Sequence, residues 1–297
     1  MDERLKTSWR GIYPAMLTPL KRDESLDEDA CADLIVRLSG SCRGLYLTGG
    51  TGEEYGISDK VREQVYRIAV PQAKGALNLI AHVGGVHTGR AAALAESACS
   101  AGVDAVSALP PHGGIYSFAE IHSFYREIAD ASSTPLIIYH IPAVTGYRFS
   151  LEELSDLLNL PGVEGIKFTD TDCFLLERLR DRFPDRLFFM GNDQMLVQGL
   201  CAGADGAIGS TYNLISSAAQ RVIECFDRGD ISGACASQKN INIFVEKLLS
   251  CPNTVRAVKA LAGEVYGWEP VSPAPGMMPD EADIKELRSA MKNILTG

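Results

Sequence analysis

The sequence predicts an α/β protein, a (β/α)8 TIM barrel with a C-terminal helical extension. Three observations lead there. Short β-rich apolar runs alternate with longer segments of helical period. The alternation repeats eight times, the number that a closed barrel requires. After the eighth run the chain reads as mostly helical, which is more helix than an eighth unit uses. A doubly wound open sheet also alternates strand and helix, so the count carries more than the alternation.

The strand candidates, in order, are 11–18 (GIYPAMLT), 44–50 (GLYLTGG), 78–85 (NLIAHVGG), 105–111 (AVSALPP), 136–142 (LIIYHIP), 163–169 (VEGIKFT), 187–193 (LFFMGND) and 206–211 (GAIGST). A turn and a helical stretch follow each. The helix predicted over 58–74 takes Ser58 as N-cap and puts Val61, Val65, Ile68 and Ala69 on one face. Another, over 150–159, opens with Ser150 and has Glu153 three residues on, the spacing of a capping box. Helices are expected at 214–228, 231–250, 254–265 and 280–295, with a Pro-rich connector over 270–279. The expected division is 1–215 for the barrel strands and active site, and 216–297 for the last barrel helix and the extension.

The bulk properties exclude several classes. The formal net charge of −10 lacks any basic cluster to offset it, which argues against a nucleic-acid surface. The eight cysteines form no Cys-x-x-Cys pair, a pattern that suits reduced thiols better than a disulfide frame or zinc site. Met1 to Lys6 lacks a signal-like apolar stretch, and no apolar run approaches membrane-spanning length. The expected compartment is the cytoplasm.

In such barrels the active site forms where the carboxyl ends of the strands meet their loops. Lys167 stands near the end of the sixth run and is the only lysine between Lys74 and Lys239. Burial there would favour the neutral amine, which can attack a carbonyl and form a Schiff base. A snorkelling or carboxylate-paired lysine is the plain alternative. After the second run, Thr48-Gly49-Gly50-Thr51-Gly52-Glu53 can bring backbone N–H groups and a hydroxyl to an anion, or can simply be a tight turn. Tyr139 in Tyr139-His140-Ile141-Pro142 can pass a proton at a reacting carbonyl, or can be a packed ring. Asp193 and Ser210 suit a hydroxyl-rich substrate and equally suit helix N-caps. His82, His87, His112 and His140 raise the possibility of a divalent metal, but no close HxH or HxxxH pair and no linked carboxylate support it.

Taken in order, Gly-Gly-Thr-Gly-Glu, Tyr-His-Ile-Pro and Gly-Ile-Lys-Phe-Thr resemble the dihydrodipicolinate synthase/N-acetylneuraminate lyase family. The resemblance runs from Gly11-Ile12-Tyr13-Pro14 to the last barrel strand. It implies a pyruvate-handling class I aldolase, a homotetramer with no metal or organic cofactor. It makes Lys167 the Schiff-base lysine, Tyr139 the proton-relay tyrosine, and Thr51 with the Gly50 amide the pyruvate-carboxylate site. Val144, where the synthases carry an arginine, fits the lyase branch. In that branch the positions matching Thr169, Gly191, Asp193, Gln194 and Ser210 bind the sugar tail, beside Gly209.

The implied reaction is reversible cleavage of a sialic-acid-like 2-keto-3-deoxy sugar acid into pyruvate and an N-acetylmannosamine-like aldehyde. Another family reaction, of the 2-keto-3-deoxygluconate type, and a non-catalytic ligand-binding barrel are the alternatives. The sequence departs from the family pattern in three places. Gly50 replaces a Ser or Thr, Gly113 and Gly114 replace an aromatic pair, and Gln194 replaces a Glu. His112 or Tyr116 is expected to stand in for the missing relay hydroxyl. Bringing a lysine from about 10.4 towards roughly 7–8 corresponds to about 3–5 kcal/mol, which requires a desolvated pocket.

Overall fold

The structure, a computed structural model, describes residues 7–73, 75–273 and 275–296. Met1 to Lys6, read above for a signal stretch, and Lys74, at the end of a predicted helix, lie outside the described residues. Eight strands alternate with helices: β1 (Gly11–Pro14), β2 (Gly44–Leu47), β3 (Asn78–His82), β4 (Ala105–Ala108), β5 (Leu136–His140), β6 (Val163–Phe168), β7 (Leu187–Met190) and β8 (Gly206–Gly209). Neighbours pair in parallel in the order β1-β8-β7-β6-β5-β4-β3-β2. The seam between β1 and β2 is closed by Met16 N–H to Tyr46 O at 2.9 Å and Arg43 N–H to Ile12 O at 2.8 Å. The sheet is therefore a barrel.

Each strand begins where the sequence predicts and ends one to four residues earlier. After β1, β3, β4 and β5 apolar residues continue past the strand, but the backbone turns away to build the mouth. After β2 the turn starts at Thr48, whose φ of 49° lies in the left-handed region.

Strand alternation sorts side chains into two layers. Ile12, Leu45, Leu79, Val106, Ile138, Ile166 and Phe188 point outward beneath the helices. Tyr13, Tyr46, Ile80, Ile137, Tyr139, Phe189 and Ile208 fill the interior. Lys167 belongs to the interior phase of β6, between outward Ile166 and Phe168.

The barrel helices are α1 (Glu28–Ser39), α2 (Asp59–Ala73), α3 (Thr88–Ala101), α4 (Phe118–Ala131), α5 (Leu151–Leu158), α6 (Cys173–Arg182), α7 (Leu196–Cys201) and α8 (Tyr212–Asp227). Ser58 caps α2 through Val61 N–H at 3.3 Å. Ser150 and Glu153 form the expected capping box on α5. The extension contains α9 (Ile231–Ser250), α10 (Thr254–Tyr266) and α11 (Glu281–Thr296). The division at 215/216 falls inside α8, where Ile215 is non-helical (φ −129°, ψ 27°). Leu287, Met291 and Ile294 bury the inner face of α11, which packs on α8, α9 and α10. Among the described residues no helix is long and apolar enough to cross a membrane.

Candidate active site

Lys167 and Tyr139 are directly opposed Cα partners on β6 and β5, and Lys167 faces Phe189 on β7. The lysine is 4% exposed, and its Nζ stands 4.2 Å from the Tyr46 ring centroid and 4.0 Å from that of Tyr139. Ring faces attract an ammonium, yet they also exclude water, and here exclusion wins. Burial brings the Lys167 pKa down to about 7, against the opposing pull of Asp193 and Glu54. Near neutral pH a large fraction of the side chain is free amine.

Burial also raises the Tyr139 phenol well above its ordinary value, so it stands as a neutral O–H. Two more rings brace the pair. Tyr46 packs edge-on to Tyr139 at 6.0 Å between centroids and donates its hydroxyl to Ser107 at 3.1 Å. His82 lies perpendicular to Tyr139 at 6.2 Å.

Several residues singled out from the sequence converge on the same mouth. The Thr51 and Ser210 hydroxyls, from the loops after β2 and β8, are 2.9 Å apart. Asp193 is buried and accepts from Thr211 N–H at 2.9 Å and from the Thr211 hydroxyl at 2.7 Å. Gly209 lets that carboxylate lie against β8, since a Cβ there would stand 1.7 Å from Asp193 Oδ1. Gly191 does the same for Thr169, whose Oγ1 would be 1.8 Å from an added Cβ. The Thr169 Oγ1 is buried without a hydrogen-bond partner, although it lies close enough to Tyr139 to favour the phenolate slightly. Gln194 follows Asp193 in a short helical turn and, like Gly50, is half-buried.

The histidines divide by partner. His82 is fully buried, contacts Arg62 at 3.2 Å and accepts from Leu109 N–H at 3.4 Å, and burial keeps it neutral. His140 points outward, 3.3 Å from Asp170 and tilted against Phe168 at 5.0 Å between ring centroids, with its pKa lowered by burial to about 4. His87 caps α3 through Arg90 N–H. Among the described residues no group of three His, Cys, Asp or Glu side chains is arranged to hold a metal. His112 lines a cavity of about 210 Å³ with Glu54 and Arg62, and its Nδ1 is buried without a partner. Tyr116 instead lies over Gly114 and faces a separate hollow with Thr88 and Glu120.

Two residues at the site escaped the sequence reading. Gln238 of α9 donates to the Asp193 carbonyl at 3.0 Å and accepts from Val197 N–H at 3.1 Å, so the extension holds the loop after β7. A lone glutamine inside a helical pattern gives no sign of this. Glu54 follows the glycine turn, its Oε2 is buried without a partner, and its charge raises the pKa of Lys167 and of Tyr139. Its place beside that turn was a usable signal.

Comparison with known proteins agrees with this geometry. Residues 8–294 match the model of the dihydrodipicolinate synthetase family. N-acetylneuraminate lyase of Escherichia coli (strain SMS-3-5 / SECEC) is 39% identical over 247 residues, covering 82% of this chain and 83% of the relative. The structure of CdNal from Clostridium difficile in complex with mannosamine superposes with a TM-score of 0.88 at 32% identity, over 97% of this chain and 98% of that one. N-acetylneuraminate lyase from Fusobacterium nucleatum complexed with pyruvate gives 0.90 at 32% identity, over 97% and 98%. With its eight-stranded barrel and its lysine facing a tyrosine across β5 and β6, the chain belongs to the dihydrodipicolinate synthetase family.

Proposed function

We propose that the chain is a Schiff-base lyase that reversibly cleaves N-acetylneuraminate, or a closely similar 2-keto-3-deoxy sugar acid, to pyruvate and an N-acetylmannosamine-like aldehyde. The observation that carries the reading is a water-excluded Lys167 amine lodged between two aromatic faces, with its pKa brought to about 7. The identity with N-acetylneuraminate lyases over four-fifths of the chain supports the substrate class.

In this reading Lys167 Nζ adds to the keto carbon and the carbinolamine hydroxyl leaves as water with the Tyr139 proton, giving an iminium beside a tyrosinate. The bond between the third and fourth carbons breaks, and its electron pair moves towards the iminium. The aldehyde forms as the fourth-carbon hydroxyl loses its proton to the Tyr139 oxygen. The enamine is then protonated at carbon and hydrolysed, which releases pyruvate and restores the amine. Thr51 and the Gly50 amide hold the keto-acid carboxylate, with Ser210 orienting Thr51. Thr169, Gly191, Asp193, Gln194, Gly209 and Ser210 shape the sugar side. The covalent lysine supplies the electron sink, so the mechanism uses no metal or organic cofactor.

The same reading places the enzyme in the cytoplasm as a homotetramer. The eight free thiols support a reducing compartment. Exposed Ile115 and Phe174, in the loop after β4 and at the start of α6, support apolar contacts between copies.

A substrate panel tests the assignment. Pyruvate release from N-acetylneuraminate should exceed that from 2-keto-3-deoxygluconate by a wide margin. Cleavage of the second alone would replace the lyase assignment with a different aldolase of the family.

A further inference from the structure

Tyr139, Thr169 and Asp193 face the mouth, and a chain neighbour of each, His140, Asp170 and Asn192, belongs to one polar cluster behind it. Asp170 is the centre of that cluster and is 6% exposed. Its Oδ2 meets His140 Nε2 at 3.3 Å and accepts from Arg148 of the loop after β5. Its Oδ1 accepts from Thr171 N–H at 2.7 Å, and its backbone carbonyl accepts from Asn192 Nδ2 at 2.8 Å. One residue therefore joins the ends of β5, β6 and β7.

His140 depends on this contact. Its Nδ1 is buried without a partner, while Phe149 and Phe168 pack against the ring at 5.7 Å and 5.0 Å between centroids. Burial keeps the imidazole neutral, so its single N–H, placed on Nε2, donates to Asp170. Losing that acceptor would leave a buried donor unsatisfied next to Tyr139 in the chain.

The two halves of the site differ in what holds them. On the pyruvate side, Lys167 lies against the Tyr46 ring and pairs with Phe189, and the Thr51 hydroxyl meets Ser210. None of these contacts involves the cluster. On the sugar side, Asp193 has further holds on Thr211 and Gln238, and Tyr139 packs against Tyr46 and His82. Thr169 has no such brace. Its hydroxyl is buried without a partner, and its N–H donates to the His140 carbonyl at 2.8 Å, so its place follows the backbone that Asp170 and His140 fix.

Resting on the aldolase reading above, we infer that Asp170 is a positioning residue for the sugar half of the substrate. It ties the ends of β5, β6 and β7, so that Tyr139, Thr169 and Asp193 meet the breaking bond and the sugar hydroxyls at a fixed spacing. Displacing such groups by about 1 Å costs about 100-fold in rate. The pyruvate half, held from β2, β7 and β8, keeps its own geometry.

The experiment compares full-length wild type with Asp170→Asn, reading kcat and KM for N-acetylneuraminate, the Kd for pyruvate and the stoichiometry of borohydride trapping on Lys167. Trapping in the wild type tests the Schiff-base reading by itself, because it requires no C–C cleavage. The Arg148 side chain is 63% exposed, so the variant strands no buried cation. Provided that the wild type traps pyruvate, Asp170→Asn should trap it with unchanged stoichiometry and Kd, while kcat/KM for the sugar acid falls about 10- to 100-fold. A wild-type kcat/KM would overturn the proposal. Equal losses of trapping and cleavage would overturn it too, since they would mark a general loss of structure. If Asp170→Asn does not fold, Asn192→Ala supplies the reading by cutting only the link from β7 to the Asp170 carbonyl. Its kcat/KM should fall about tenfold with trapping intact, and unchanged cleavage would overturn the proposal.

Discussion

Glu53 and Lys259 form an ion pair with no solvent exposure on either side chain, joining residues 206 apart in the sequence. Glu53 closes the glycine turn after β2 in a left-handed conformation (φ 58°) and also accepts from Ser272. Lys259 comes from α10. The helical extension is thereby locked to the turn that presents Thr51, so part of the site's rigidity originates outside the barrel.

Removing one partner of this pair leaves a buried charge with no counter-ion. Lys259→Met should therefore lower stability by about 3–5 kcal/mol, read as a lower denaturant midpoint. Glu53→Gln combined with Lys259→Met should lose less than Lys259→Met alone, because no isolated charge remains. Equal losses would mean that the pair is not the main link.

On the proposed mechanism Lys167 reacts as the free amine, so the rate of imine formation with pyruvate should rise with pH through about 7 and then level off. The linkage to stability has the opposite appeal. The folded pKa lies below that of the unfolded chain, so protonation favours unfolding, and the penalty accumulates as pH falls from about 10.5 to about 7. Lys167→Met should be inactive and, at pH 6–7, more stable than wild type by a few kcal/mol. Denaturant unfolding of the two proteins at pH 6 and pH 10 checks this, with the gap expected to shrink at the higher pH.

Tyr139→Phe keeps the ring that faces Lys167 and removes the hydroxyl. Cleavage should fall about 10²–10⁴-fold while pyruvate is still trapped on Lys167. A single-turnover assay alongside trapping separates the two steps.

Thr169 has a buried hydroxyl with no protein partner, beside the glycine that makes room for it. Thr169→Val should change the melting temperature little, since at most its contact with the Tyr139 phenol is lost. Affinity for the sugar acid should fall about tenfold if the hydroxyl meets substrate. The KM for N-acetylneuraminate against the Kd for pyruvate alone is the relevant comparison.

Much of this was legible in the sequence for physical reasons. The strand starts were readable because β-branched and aromatic runs follow polar turns, as at Leu136 and Val163. Their ends were not, because the point at which the chain leaves the sheet, as at Thr48 after β2, depends on backbone dihedrals. Lys167 and Tyr139 stood out as chemical groups at strand ends, and register makes them partners. Gln238 and Lys259 were invisible, because their role depends on how the extension packs on the barrel. Glu54 gave no signal beyond its place in the chain, because the motif draws attention to Thr51 and Gly50, while the burial of its unpartnered oxygen depends on how the loop packs.

Incubation with pyruvate, reduction with borohydride and peptide mapping test most directly whether Lys167 is the Schiff-base nucleophile. One added reduced pyruvate per chain is expected, located on the peptide containing Lys167, and none in Lys167→Met. An adduct on another lysine, or no adduct in an enzyme that still releases pyruvate, would contradict it.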